Sequence, residues 1–290
     1  MNILVLGSTG LLGSTISPFL NSHNYEVSTH SRCNRSQYHA DMCDVGAVNR
    51  LLSKVRPDVI LNLVGLTDVE ICEQYPNQAY ILNVRTLEYV TSWIRREKPS
   101  CHLIHISSDQ VYDGSSLHTE ELVTLTNYYA FSKYAGELVA TTVPSTILRT
   151  NFFGRSECAQ RVSLSDWLYN AISNNVQIQV FDDILFSPLA MSTLSELILC
   201  SIRKKPIGVF NLGSHEGLSK ADFAFAFAEC MGLSTSNIKR ITSDQVKFIK
   251  TYRPKDMRMN SAKFEDALEI RLPSLADEIR RVTREYHENA

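Results

Sequence analysis

The chain has 290 residues, 29 of them Lys or Arg and 31 Asp or Glu, for a net charge of −2; 44% of residues are hydrophobic and 21% charged. That is a soluble, globular composition with material for one large α/β domain or two unequal lobes. No long basic run supports a nucleic-acid partner, and no apolar run approaches the ~18 residues of a membrane helix, so neither nucleic acid nor membrane is expected. Seven scattered cysteines without a C-x-x-C pair, and a start that enters a strand without a basic n-region, predict a reduced, cytoplasmic protein with no metal site.

In chain order, Asn2–Leu6 reads as a strand, followed by a glycine turn and a helix from about Leu12. Residues 25–29 form a second strand, Val45–Val55 a helix, and 59–64 a third strand after Pro57-Asp58. Residues 77–97 read as one long helix, with Ala79, Leu82, Leu87, Val90 and Ile94 near helical spacing. His102–Ile106 is a strand, Tyr128–Ala140 a helix and 146–149 a strand. Strand–helix alternation with continuously apolar strands predicts an α/β fold, a Rossmann-type doubly wound parallel sheet covered on both faces. Ligands of such sheets bind at the carboxyl ends of the strands.

Beyond about residue 150 the alternation loosens. Helices are predicted at Leu164–Ser173, 193–203, 220–231, 261–268 and 273–286, with short strands at 177–181 and Gly208–Leu212. Residues 1–150 are therefore expected to bind a dinucleotide. Residues 151–290 would form mainly a smaller, partly interleaved substrate lobe, with some segments returning to the first domain.

Gly7, Gly10 and Gly13 form G-x-x-G-x-x-G directly after the first strand. Glycines let the backbone turn tightly and approach a pyrophosphate, and the following helix offers unpaired N–H groups. The place of the triplet, strand before and helix after, makes the reading specific. A carboxylate ending the second strand would favour NAD; the chain instead reads Thr29-His30-Ser31-Arg32, then Arg35. A hydroxyl and arginines suit a 2′-phosphate, so NADP is favoured, with NAD as the alternative.

Tyr129 stands four residues before Lys133 in "YYAFSKYAGE". On a helix the two share a face, and an ammonium beside a phenol lowers its pKa toward the range of proton exchange with a carbonyl oxygen. The strand 102–106 ends in Ser107-Ser108-Asp109-Gln110, two hydroxyls, a carboxylate and an amide at a carboxyl end. Cys72, Cys101, Cys158 and Cys230 lie among apolar residues and read as small core residues; Phe223, Phe225 and Phe227 read as core, and His105 as structural.

With these motifs in place the chain resembles the extended branch of the short-chain dehydrogenase/reductases. Within it, the chain is similar to the dTDP-4-dehydrorhamnose reductase family over nearly its whole length. The motifs that carry the resemblance are "NILVLGSTGLLGS", "RPDVILNLVGLTDVEICE", "ISSDQVYDG", "YYAFSKYAGE", "LRTNFFG" and "RPKDMRMNSAKF". It implies Ser108, Tyr129 and Lys133 as the catalytic trio. It implies cofactor contacts at Gly7, Gly10, Leu11 and Leu12, an adenine approach at Asp41-Met42, and Val64, Gly65 and Leu66 lining the cofactor. Lys133 would also hold the nicotinamide ribose. Substrate contacts would come from Val69-Glu70, Ser108, Asp109, Tyr129, Phe152 and Arg253. Arg253 suits a nucleotide diphosphate, a surface ion pair being its alternative role.

The sequence departs from the family at Leu63-Val64, bulkier than the usual alanines, at Phe152 in place of tryptophan, and at Leu189 and Met191 in "FDDILFSPLAM". The glutamates of the family's magnesium-linked dimer have no match, so no metal is carried over, and a homodimer is an open expectation only. The implied reaction is NAD(P)H-dependent reduction of the C4 carbonyl of a nucleotide-linked 4-keto-6-deoxy sugar, in deoxysugar and cell-surface polysaccharide biosynthesis. Gln110 argues against a 4,6-dehydratase, whose carboxylate there must act as a base, since an amide cannot. A sugar epimerase stays open, as does a non-catalytic NADP-binding regulatory subunit resembling the methionine adenosyltransferase β subunit.

Overall fold

Ile3, Leu4, Val5 and Leu6 are all fully buried, although their side chains point to opposite faces of one strand. Both faces of the sheet they belong to must therefore be covered, and the computed structural model shows how. It describes residues 1–32, 35–158, 160–246 and 250–288. The strands are β1 (Asn2–Leu6), β2 (Glu26–Ser31), β3 (Tyr38–His39), β4 (Val59–Asn62), β5 (His102–Ile106), β6 (Ser145–Thr150), β7 (Phe152–Phe153), β8 (Ile178–Phe181), β9 (Leu185–Phe186), β10 (Leu189–Ala190), β11 (Gly208–Leu212), β12 (Leu218–Ser219) and β13 (Ile238–Ile241). Seven of them pair in the order β11-β6-β5-β4-β1-β2-β3, all parallel. The order reverses between β1 and β4, which places the ligand crevice at their carboxyl ends.

The helices are α1 (Leu11–Ser22), α2 (Val45–Val55), α3 (Val69–Gln74), α4 (Pro76–Tyr80), α5 (Thr86–Glu97), α6 (Tyr128–Ala140), α7 (Leu164–Ser173), α8 (Met191–Lys204), α9 (Lys220–Cys230), α10 (Ala262–Leu268) and α11 (Leu275–Glu288). On one face of the sheet Leu12, Ile16 and Leu20 of α1 pack with Leu194 and Ile198 of α8 and Phe264 of α10. On the other, Leu51 and Leu52 of α2 pack with Val90, Trp93 and Ile94 of α5 and Ala140 of α6. The doubly wound Rossmann-type architecture follows. Its last strand, β11, and the helices α8 and α10 come from the C-terminal half of the chain, so the two halves interleave.

The remaining C-terminal elements bury a separate apolar cluster, including Leu168 of α7, Phe223 and Phe227 of α9 and Ile279 and Val282 of α11. Glu278 of α11 ties this cluster to α8, accepting from the Ala190 N–H at 2.5 Å and the Thr193 hydroxyl at 2.8 Å, at a helix start that has no cap from its own side chain.

Two departures from the sequence expectation bear on the site. The stretch 77–97 is not one regular helix: a π turn at Ile81–Arg85 separates α4 from α5. The widened turn carries Asn83, whose side chain accepts from the Leu66 N–H at 2.7 Å and donates to the Leu66 carbonyl at 3.0 Å and the Ser132 hydroxyl at 2.8 Å; π turns commonly mark functional sites. β4 stops at Asn62 instead of running to 64, where the Asn62 side chain accepts from the Val64 N–H at 3.3 Å and the chain leaves the sheet.

Candidate active site

Directly after β1, Gly7 takes a φ of +86°, and the Gly7 and Ser8 N–H groups both donate to the His30 carbonyl at 3.0 Å. A Cβ on Gly13 would lie 2.3 Å from the Gly7 carbonyl oxygen, and one on Gly10 would lie 3.3 Å from it. Only glycine permits helix α1 to press this closely on the turn. Gly10 caps α1 without a side-chain bond, and no acidic residue occupies the first turn. The helix start thus presents free N–H groups and its positive dipole end, the features that suit a dinucleotide pyrophosphate. Leu12 is buried in the core, so only its backbone faces the turn, while Leu11 is partly buried.

A groove runs outward from the turn, lined by Ser8, Thr9, Ser14, Thr29 and Arg35 on the sheet side and by Glu157, Cys158 and Gln160 on the other. Arg35 is the arginine on this groove. Arg32, also exposed, lies close enough to Cys43 to act on its thiol together with Asp41. Ser31 is buried at the end of β2 with its Oγ 2.9 Å from that of Ser36. Met42 likewise turns its side chain into the core beside Val48 and Leu51, leaving Asp41, which is exposed, as the polar group of that pair. No carboxylate ends β2, in keeping with a 2′-phosphate.

Ser108, Tyr129 and Lys133 are brought together at the carboxyl end of β5. Ser108 starts a 3₁₀ turn, Asp109–Val111, and its Oγ accepts from the Gln110 N–H and donates to Asp109 Oδ1, both at 3.1 Å. Tyr129 sits in the first turn of α6, a helix capped by Asn127 accepting from the Ala130 N–H at 2.8 Å. Its phenol is buried, with the Ser108 hydroxyl close enough to act on it. Burial pushes the phenol above its ordinary range, with the Ser108 hydroxyl opposing. The expected depression by Lys133 is therefore not found. The Lys133 amine instead donates to the Ile106 carbonyl at 2.7 Å, and burial lowers its own pKa to about 8. A protonated phenol is the form a proton donor needs.

Gly65 meets this group from β4: a Cβ there would lie 3.0 Å from Asn83 Oδ1 and 3.9 Å from Lys133 Nζ. Val64 is partly buried against the α2–α5 core, and Leu66 is gripped by Asn83. Val69 lies beside Tyr129. It is buried in a small cluster with Cys72, Ala79 and Tyr129, supporting the tyrosine from α3.

On the substrate side Asp109 is 1% exposed, and its second oxygen accepts from Asn151 Nδ2 at 2.7 Å. Burial raises its pKa to about 6, against the Asn151 and Ser108 bonds and the nearby Lys220 charge. Gln110 Oε1 is buried without a hydrogen-bond partner. Phe152 of β7 is half-buried next to Asn151. Arg253 Nη2 donates to Glu70 Oε1 at 3.0 Å, and Lys220, half-buried at the start of α9, senses both Arg253 and Asp109. Asn83, Asn151 and Lys220 are absent from the sequence reading. Asn151 was within reach of it, because "LRTNFFG" marks the carboxyl end of a parallel strand; Lys220 carries no local signal.

Among the cysteines, Cys72 and Cys101 are buried as expected, with thiols pushed up by burial, Cys72 to about 11. Cys158 and Cys230 are not core residues. Cys158 donates to the Thr9 carbonyl at 3.2 Å on the groove beside the glycine turn, and Cys230 is exposed at the end of α9. Leu189 and Met191 are buried in the core, so their departure from the family pattern concerns packing. His105 is fully buried, its Nδ1 3.1 Å from Asn62 Nδ2.

The family profile described as RmlD substrate binding domain matches residues 1–288. The chain belongs to that family. It is 25% identical over 316 residues to the dTDP-4-dehydrorhamnose reductase of Shigella flexneri, covering 98% of each chain. It is 24% identical over 287 residues to the methionine adenosyltransferase 2 subunit beta of Rattus norvegicus, covering 91% of this chain and 81% of that one. The solved dTDP-4-dehydrorhamnose reductase of Bacillus anthracis, in complex with NADP, superposes with a TM-score of 0.87 at 20% identity over 98% of this chain and 99% of that one, a likeness of fold.

Proposed function

We propose that the protein is an NADPH-dependent reductase acting on the C4 carbonyl of a nucleotide-diphosphate-linked 4-keto-6-deoxy sugar, in deoxysugar and surface-polysaccharide biosynthesis. The observation that carries this reading is the convergence of Ser108 and the buried Tyr129 phenol at the carboxyl end of β5, with Lys133 one helical turn away. Family membership supports the substrate class, since the Shigella flexneri relative is a reductase of this kind.

The glycine turn and the start of α1 would hold the dinucleotide pyrophosphate, Arg35 the 2′-phosphate, and Gly65 with Lys133 the nicotinamide end. When bound, the reduced nicotinamide supplies a hydride to the carbonyl carbon. Ser108 holds the carbonyl oxygen by a hydrogen bond as charge builds on it, and Tyr129 donates the proton that completes the alcohol. Asp109, fixed by Asn151, orients the Ser108 hydroxyl. Residues 1–150 act chiefly on the dinucleotide and residues 151–290 chiefly on the sugar nucleotide, whose diphosphate would draw on Arg253 and Lys220.

The test is NADPH oxidation, followed at the nicotinamide absorbance, against dTDP-, UDP- and GDP-linked 4-keto sugars. Turnover with at least one of them is expected. Tight NADP binding with no turnover on any would sink the reductase and favour the second reading, a regulatory NADP-binding subunit. That reading is motivated by the comparable identity to the methionine adenosyltransferase β subunit.

A further inference from the structure

Tyr129, Lys133 and Glu137 are spaced four residues apart and share one face of α6. The first two face the reacting centre. The third lies behind it, 1% exposed, in an ion pair with Arg149, which is 2% exposed. Arg149 Nε lies 3.0 and 3.1 Å from the two carboxylate oxygens, and Nη2 lies 2.6 Å from Oε2. The pair makes further bonds. Arg149 Nη1 donates to the Tyr112 hydroxyl at 2.6 Å and the Glu120 carbonyl at 3.0 Å, and Tyr112 donates on to Asn211 Oδ1 at 2.7 Å. Glu137 Oε1 also accepts from the hydroxyl of Ser107, the residue next to Ser108.

We propose that Glu137, locked by Arg149, is a positioning residue of the active site: it fixes the serine-bearing end of β5 through Ser107 and serves as the counter-charge of Lys133. The inference rests on the reductase reading above.

Two observations carry it. Ser107 is held at both of its donors, its N–H by the Leu148 carbonyl at 2.8 Å and its hydroxyl by Glu137. Ser107 and Ser108 are adjacent and both turn toward α6, Ser107 to Glu137 and Ser108 to Tyr129, so clamping Ser107 fixes the backbone that carries Ser108. The second observation is charge. The groups facing Lys133 are Glu137 on α6, the Cys72 thiol on α3, the buried imidazole of His105 on β5 and the Tyr129 phenol. The thiol and phenol titrate above their ordinary ranges and the imidazole well below its own, so all three are neutral near pH 7. Glu137 alone opposes burial with a full negative charge, four residues away on the same helix face. A buried ion pair adds little stability over an apolar pair of the same size, so its place beneath the catalytic groups calls for a role there.

The variants are Glu137→Gln, the charge-free pair Glu137→Leu with Arg149→Met, and Ser107→Ala, each checked for folding by its thermal melt. The pair keeps the site apolar, so it reports even where Glu137→Gln does not fold. Losing the counter-charge lowers the Lys133 pKa further, so the alkaline limb of kcat/KM moves down by about one pH unit, with sugar KM changed less than threefold. Ser107→Ala lowers kcat severalfold and leaves the limb in place. The same titration is read without turnover from the ¹³C resonance of the Lys133 side chain, assigned with Lys133→Arg. Wild-type protein with no turnover overturns the reductase reading alone. Folded variants in which both the pH limb and the Lys133 resonance titrate as in the wild type overturn the role of Glu137.

Discussion

Arg253 Nη2 lies 3.0 Å from Glu70 Oε1, and the same carboxylate accepts from the Thr251 hydroxyl at 2.9 Å. The C-terminal R-P-K-D segment is thereby tied to α3 beside the cluster that supports Tyr129. Both side chains of the pair keep solvent contact, 22% and 38%, and such pairs contribute about 0–1 kcal/mol. A diphosphate, with two phosphates for the guanidinium, competes well against one such carboxylate.

Replacing Arg253 with alanine is accordingly expected to raise the KM for the sugar nucleotide by roughly tenfold or more, with kcat little changed, because the lost bond serves ground state and transition state alike. Glu70→Gln should act in the opposite direction, lowering that KM a few fold. Initial rates over a substrate series measure both. An unchanged KM in Arg253→Ala would leave the residue a structural ion pair.

Asp109 is a second point of tension. Its carboxyl ionises at about 6 in the native state against 3.8 ordinarily, because burial outweighs the hydrogen bonds it receives. Between those values the native state binds more protons than the unfolded chain, so stability from this group is greatest below pH 4 and is lost as pH rises past 6. The loss amounts to about 3 kcal/mol. Asp109→Asn is expected to raise Tm at pH 7.5 and to leave it unchanged near pH 3.5, while turnover falls because Ser108 loses its charged partner. Thermal melts at the two pH values, with a rate assay, check this; a variant less stable at pH 7.5 would contradict it.

Tyr129→Phe removes the proposed proton donor and one partner of Ser108. Turnover should drop by about 10² to 10⁴, while NADPH affinity, followed by nicotinamide fluorescence, stays within threefold. Full activity in this variant would move the proton-donor role elsewhere.

Arg35 is the arginine lining the groove beyond the glycine turn. Arg35→Glu places a carboxylate where a 2′-phosphate would sit, and the ratio of kcat/KM for NADPH over NADH is expected to fall at least tenfold. Parallel assays with the two nucleotides decide it; an unchanged ratio would assign the discrimination to Arg32 or to backbone groups.

Local rules were enough for much of the molecule. Asn2–Leu6, Val45–Val55, His102–Ile106, Tyr128–Ala140, Leu164–Ser173 and Gly208–Leu212 are where residue periodicity places them. The glycine triplet had to follow β1, because only glycine tolerates a neighbour 2.3 Å from its missing Cβ. Tyr129 and Lys133 share a helix face by spacing alone. What only tertiary structure decided are the partners of these groups. β11 joins β6 across the 57 residues that separate Thr150 from Gly208. Asn83 reaches Leu66 through a π turn, Asn151 fixes Asp109, Glu70 holds Arg253, and the Lys133 amine turns to a carbonyl instead of the phenol. Spacing along the chain sets which face a side chain occupies. Whether that face is dry, which charge stands opposite and which way a pKa moves depend on segments brought together from far along the chain, and those the fold alone supplies.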